Sequence, residues 1–224
     1  TPLYSSAASD VYKRQALRLR AAGIDSSRCH ILTWLTSAPT TRFADLITAD
    51  IDISVGSIDS LNAVAFAARK LGKPARVHVK VDTGFGRNGF TPEGFSAALE
   101  KLQQYSSEGV IEVIGQWSHL AVADSPDVPE FVDATDRQIQ QFHEFTKRMK
   151  EASVAPKIRH LANTAATLNR PEIRFELVRP GIGLYGYEPD PAMGDSQTYG
   201  LQPAMTLQAQ LGLSLIHISE PTRR

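Results

Sequence analysis

Helix-period and strand-period stretches alternate along most of this 224-residue chain, with short polar connections between them. Residues 16–22 read as the end of a helix, 30–35 as a strand and 41–48 as a short helix. Residues 51–55 form an apolar run of strand length. Residues 57–71 carry apolar side chains at helical spacing, with Ser57 placed to cap that helix and Gly72 to end it. Alternation over 75–82 predicts the next strand, and a helix is expected over 92–105 with Thr91 as its cap and Pro92 in its first turn. Residues 110–118 predict another strand, and 133–152 a long amphipathic helix whose outward face accounts for most of its charges. Residues 157–162, 165–168 and 175–186 complete the series as strand, short helix and strand.

Successive β-α units without a reversal predict an α/β fold with a parallel sheet, and five or six of them favour a TIM-type (β/α)8 barrel over an open sheet. The barrel expected over residues 16–200 is incomplete, lacking its first strand. In such a barrel functional side chains sit at the C-terminal ends of strands, where 82–87, His119, 160–164 and 179–182 fall. Residues 205–211 alternate without a following helix, so 201–213 are read as the first strand of a C-terminal β domain. Residues 1–15 show neither period, and 214–224 break off a strand pattern. Within them, 5–15 and 214–224 resemble translated sequencing adaptor, so both ends are set aside as non-native.

Composition narrows the class. With 42% hydrophobic and 21% charged residues the chain reads as a soluble globular protein with a sizeable core. Its 24 basic side chains balance 24 acidic ones, so no charge excess points to nucleic acid or to an anionic membrane. One cysteine, Cys29, permits no internal disulfide and suits a reducing cytoplasm; its simplest role is a small buried apolar residue. No apolar run is long enough to span a bilayer, so a cytoplasmic location is expected. The six histidines are scattered without a recurring ligand spacing, and no metal site is expected.

The most informative run is Lys80-Val-Asp-Thr-Gly-Phe-Gly-Arg-Asn-Gly-Phe90, which sets Arg87 among three glycines directly after a strand, as an anion-holding loop requires. Gly84, Gly86 and Gly89 satisfy the G-x-G-x-x-G spacing of dinucleotide-binding loops. That motif should run straight into a helix whose N-terminus receives the pyrophosphate, whereas Phe90-Thr-Pro-Glu93 intervenes here. The dinucleotide reading is therefore set aside.

Five segments in order carry a family resemblance: the 80–89 run, Trp117-Ser-His-Leu-Ala-Val-Ala-Asp124, His160-Leu-Ala-Asn-Thr-Ala-Ala166, Val178-Arg-Pro-Gly-Ile-Gly-Leu-Tyr-Gly186 and Leu201-Gln-Pro-Ala-Met-Thr-Leu207. Over nearly all of residues 16–213 the sequence resembles alanine racemase, a fold-type III enzyme that uses pyridoxal 5'-phosphate. The resemblance implies interconversion of L- and D-alanine by two bases, with the cofactor as electron sink, to supply D-alanine for peptidoglycan. It places Arg179 against the pyridine nitrogen; because a guanidinium keeps its own protons, that nitrogen stays unprotonated and side reactions are limited. The plain alternative for Arg179 is a structural ion pair. The phosphate is expected against the Thr164 hydroxyl and the amides of Gly181 and Ile182, with Asn163 and Thr164 opening a short helix. An ordinary N-cap role for that pair is compatible with the functional one. Arg87 would meet the phenolic oxygen of the cofactor and the carboxylate of the substrate. Lys80 matches a lysine that several relatives carry as a carbamate (N6-carboxylysine), the alternative being a plain Lys80–Asp82 pairing. His119 would lie beside the catalytic tyrosine, and His160 would support Arg179 from behind. His30, His78, His143 and His217 carry no such motif and are read as structural.

The departures are two. The family's Schiff-base lysine belongs on a first strand upstream of residue 16, and Lys13 is no substitute for it. The second base, a tyrosine, belongs to the C-terminal domain of a partner subunit, which implies a homodimer. The parent is thus expected to be an active racemase and the chain itself inactive and unstable, with open sheet edges. Alternatives are a broad-specificity or serine racemase of the same fold, or a non-catalytic barrel that binds pyridoxal phosphate.

Overall fold

The structure is a computed structural model that describes residues 13–34, 36 and 42–209. Five strands, β1 (Leu32–Thr33), β2 (Asp52–Val55), β3 (Ala75–Lys80), β4 (Ile111–Trp117) and β5 (Ile158–His160), lie side by side in chain order. Every neighbouring pair is parallel. The helices are α1 (Lys13–Ala21), α2 (Phe43–Thr48), α3 (Ile58–Leu71), α4 (Phe95–Ser107), α5 (Pro129–Glu151) and α6 (Thr164–Asn169). The curled sheet with its intervening helices is a half-barrel, the incomplete TIM-type barrel that the alternation predicts.

The strands owe their two faces to a period of two. Ile53, Val55, Val77, Val79 and Val81 are fully buried and form one core cluster with Leu61 and Val64 of α3, Phe95 and Leu102 of α4 and Phe142 of α5. Gln116 shares that helix-facing side: its amide donates to the Phe142 carbonyl at 3.1 Å and its side-chain oxygen accepts from the Thr146 hydroxyl at 2.8 Å, both on α5. The other face carries Asp52, Ser54, His78, Lys80, Trp117 and His160, all nearly inaccessible to solvent. Between β3 and β4 the register shifts: Val77 pairs with Val113, but His78 pairs with Gly115, so Ile114 is an inserted residue.

Several elements differ from the sequence reading in extent. The strand expected at 30–35 is paired only at Leu32–Thr33, Leu35 lying outside the described residues, and the strand at 157–162 only at Ile158–His160. The helix expected from Pro92 begins at Phe95, because residues 92–94 form a turn in which the Thr91 hydroxyl accepts from the Gly94 amide at 3.4 Å. Helix α5 begins four residues before the expected 133, with Pro129 in its first turn where a missing N–H costs nothing. Helix α1 extends back to Lys13, and residues 1–12 and 210–224 lie outside the described residues.

Two expected strands are corrected. Residues 175–186 form no strand: Phe175 adopts φ +46°, Pro180 has no amide to donate, and a 3-10 turn occupies Ile182–Tyr185 before Gly186 at φ +86°. One backbone bond, Arg179 N–H to the Ala162 carbonyl at 2.9 Å, ties this segment to the residues just after β5. Over 205–209 the expected strand is likewise absent, and Leu207 is 98% exposed. Alternation is a pattern of faces, and a strand also needs a partner for its amides, which this segment lacks among the described residues.

Candidate functional site

Arg179 is the best-held cation of the concave face. One terminal nitrogen donates to His160 Nδ1 at 3.0 Å and to the His160 carbonyl at 2.6 Å; the other donates to the carbonyls of Ser118 at 2.6 Å and Leu161 at 3.3 Å. Its guanidinium lies 5.0 Å from the centre of the Trp117 ring, which in turn stacks on His160 at 7° between planes. These bonds fix the orientation of the guanidinium from several directions at once. His160, fully enclosed, is held well below the usual histidine range, first by burial and then by the Arg179 charge.

The segment after Pro180 meets the start of α6. The Gly181 amide donates to the Thr164 hydroxyl at 2.8 Å, which leaves the hydroxyl proton of Thr164 free to be given to an anion. Asn163 caps α6 through its side-chain oxygen, which accepts from the Ala166 amide at 3.0 Å. A side chain at Gly183 would come within 2.8 Å of the Thr164 methyl, so a glycine is needed for this approach.

The glycine-rich loop is folded around Asp82, not around a phosphate. Asp82 accepts from the amides of Gly84 at 2.9 Å and Gly86 at 3.1 Å, and the loop passes through positive φ at Gly84, Gly86, Asn88 and Gly89. A Lys80–Asp82 ion pair is not formed among the described residues. Lys80 instead donates to the Arg87 carbonyl at 2.6 Å and lies 4.7 Å from the centre of the Trp117 ring. Burial, reinforced by the charges of Arg87 and Arg179 and only partly offset by Asp82, lowers its pKa to about 8. Arg87 lies over the rings of Phe85 at 4.6 Å and Trp34 at 5.5 Å.

His119 follows β4, its ring edge-on to Phe85 at 5.2 Å and its carbonyl accepting from the Gln138 amide at 3.1 Å. Burial first, then Arg179, Arg87 and Lys80, lower its pKa to about 4, so the ring is neutral at pH 7.

These groups surround one cavity of about 410 Å³. Of the residues singled out by sequence, Arg87, His119, Asn163, Thr164, Arg179, Gly181 and Ile182 line it; His160 stands behind Arg179, and Lys80 lies under Arg87 and Trp117. The walls also contain Trp34, Trp117, Ala165 and Pro189, which the sequence reading did not single out. The two tryptophans are the only ones in the chain and stand just after β1 and at the last position of β4, the barrel end at which functional groups gather. That position was the available signal. Trp34 also presents a buried indole N–H that finds no acceptor among the described residues. Among the described residues the cavity is lined by two guanidiniums, a hydroxyl and an indole N–H and by no carboxylate, a donor set suited to an anionic ligand.

The fold is thus a parallel half-barrel with a cavity at the C-terminal ends of its strands. Residues 11–189 match the family described as alanine racemase, N-terminal domain. The alanine racemase of Frankia casuarinae is 44% identical over 203 residues, covering 91% of this chain and 51% of the relative; that of Thermobifida fusca is 45% identical over 197 residues, covering 88% and 50%. Among solved structures, the alanine racemase from D-cycloserine-producing Streptomyces lavendulae superposes with a TM-score of 0.80 at 38% identity, over 86% of this chain and 48% of that one. The chain therefore belongs to the alanine racemase family. It spans about half the length of the relatives it matches.

Proposed function

We propose that the protein to which this chain belongs interconverts L- and D-alanine with pyridoxal 5'-phosphate held in the 410 Å³ cavity. The observation that carries the reading is the mounting of Arg179: a guanidinium fixed by three carbonyls and a neutral histidine, lining the same cavity as the Thr164 hydroxyl. When bound, the cofactor supplies an electron sink for the carbanion left when the α-proton departs. With the cofactor bound, Arg179 would donate to its ring nitrogen and, because a guanidinium keeps its own protons, would leave that nitrogen unprotonated and moderate the sink. The Thr164 hydroxyl, held from behind by the Gly181 amide, would receive the phosphate together with the Ile182 amide at the start of the 3-10 turn. Arg87 would bind the phenolic oxygen and the substrate carboxylate.

Lys80 is proposed as a carbamate site. With a pKa of about 8, a useful fraction of its amine is uncharged and nucleophilic near neutral pH, and a carbamate there would give the Arg87 guanidinium an anionic partner. His119, neutral at pH 7, can hydrogen-bond a neighbouring phenol without adding a charge. The lysine and tyrosine that move the proton are assigned to the parent protein, and the 224-residue chain is proposed to bind cofactor without turnover. The parent protein is proposed to be a cytoplasmic homodimer that supplies D-alanine for peptidoglycan. Within the described residues no helix is long and apolar enough to cross a membrane.

Both tryptophans line the cavity, so their fluorescence reports directly on it. Titration of the chain with pyridoxal 5'-phosphate is expected to give saturable quenching, weakened at least tenfold by Arg179→Ala and by Thr164→Val, with no D-alanine formed on chiral chromatography. Quenching that does not saturate, or that ignores both substitutions, would overturn the reading.

A further inference from the structure

A continuous line of side chains runs beneath Arg179 across the sheet. Arg179 meets His160 Nδ1 at 3.0 Å, His160 Nε2 meets His78 Nδ1 at 2.9 Å, and His78 Nε2 meets Asp52 Oδ2 at 3.2 Å. Asp52 is in turn ion-paired with Arg76 at 2.8 Å and approached by His30 at 3.5 Å. Asp52, His78 and His160 are each at most 2% exposed, and they stand on β2, β3 and β5. His78 reaches β5 by crossing β4 at Gly115, the residue it pairs with; a Cβ there would overlap the His78 imidazole. The bulge at Ile114 brings that glycine into register with His78.

Hydrogen-bond chemistry fixes every proton in this line. A guanidinium only donates, so His160 Nδ1 must accept, and the single proton of the neutral ring sits on Nε2. That proton is donated to His78 Nδ1, which leaves the His78 proton on Nε2, directed at a carboxylate that can only accept. Both ends therefore demand the same direction, whereas a group at position 52 that could also donate would leave it open.

We propose that Asp52 and His78 are positioning residues: the Asp52 charge, acting through His78 and His160, locks both histidines as Nε2–H tautomers and so presents Arg179 to the cavity as a fixed donor. This rests on the cofactor reading for its use, but not for its test. A carboxamide at position 52 can turn its NH2 toward His78, reversing both histidines and leaving His160 Nδ1 protonated against the guanidinium. The Asp52→Asn variant should then hold His160 in mixed tautomers.

Two-bond proton–nitrogen correlation spectra of the histidine-labelled 224-residue chain at pH 7 decide the question. The native chain is expected to show Nε2–H for His78 and His160, the Asp52→Asn variant both tautomers at His160, and tryptophan quenching by pyridoxal 5'-phosphate about tenfold weaker in the variant. An Nδ1–H or doubly protonated ring at either position in the native chain overturns the proposal, and that spectrum requires no variant to fold. Unchanged tautomers or unchanged cofactor affinity in a folded Asp52→Asn chain overturn it equally. If the native chain shows the expected tautomers but no saturable quenching, the cofactor reading fails while the proton arrangement stands.

Discussion

Residue-scale chemistry is where position matters more than type. Gly115 looks like any glycine in an apolar strand, yet its missing side chain is what allows His78 to reach His160. Gly115→Ala must push the imidazole aside in a close-packed interior, at a cost of about 1–3 kcal/mol. The expected result is a lower urea midpoint together with loss of the His78–His160 contact in histidine NMR; an unchanged midpoint would show that the crossing is slack. Lys80 makes a second prediction. Its neutral amine becomes abundant as pH rises through about 8, so a 13C carbamate signal from labelled bicarbonate should grow between pH 7 and 8.5 and vanish in Lys80→Arg. Motif reading singled out Lys80, Arg87, His119, His160, Thr164 and Arg179. It read His78 as structural and did not consider Asp52, because their contacts reach 82 and 26 residues away in sequence, which alternation alone cannot pair.

Elements were legible where the signals are local. The Ser57 cap, with its reciprocal bonds to Ser60, and the left-handed Gly72 at φ 63° bound α3 as the sequence indicates. Ser57→Ala removes the acceptor for the Ser60 amide, which hydrogen-bonds it at 3.2 Å, and should cost about 1 kcal/mol, read as a lower urea midpoint with tryptophan emission unchanged in the native baseline. A shift in that baseline would mean the cap also shapes the cavity. Segments 175–186 and 205–209 were misread for the opposite reason. Their apolar and polar residues alternate, but what holds the first is the Arg179 mount, the Thr164–Gly181 bond and glycine turns, none of which leaves a periodic trace. Functional loops depart from local rules because their backbone serves a ligand instead of a ladder.

At the scale of the molecule, a polar concave face set against an apolar helix-facing side makes the site and the fold one arrangement, and that arrangement has a pH signature. His119, with its pKa near 4, and His160, also lowered, both bind protons more weakly folded than the ordinary value of about 6.5 expected unfolded. Between pH 6.5 and the folded values the unfolded chain holds more protons, so stability is full above about pH 6.5 and falls as pH drops. For each histidine that stays neutral when folded, the loss at pH 5.5 is about 1.4 kcal/mol. Asp52 acts in a different window. Burial opposes its ionisation, but hydrogen bonds from His30 and His78 and the charge of Arg76 outweigh it, so its contribution is intact until pH falls below about 4. Urea midpoints should therefore fall between pH 7.5 and 5.5, and His119→Gln should flatten that fall by about half while leaving the steeper loss below pH 4 in place. A midpoint independent of pH down to 5 would mean that the histidines on the concave face are hydrated and free to ionise, and with that the neutral His160 argued to support Arg179 would be lost.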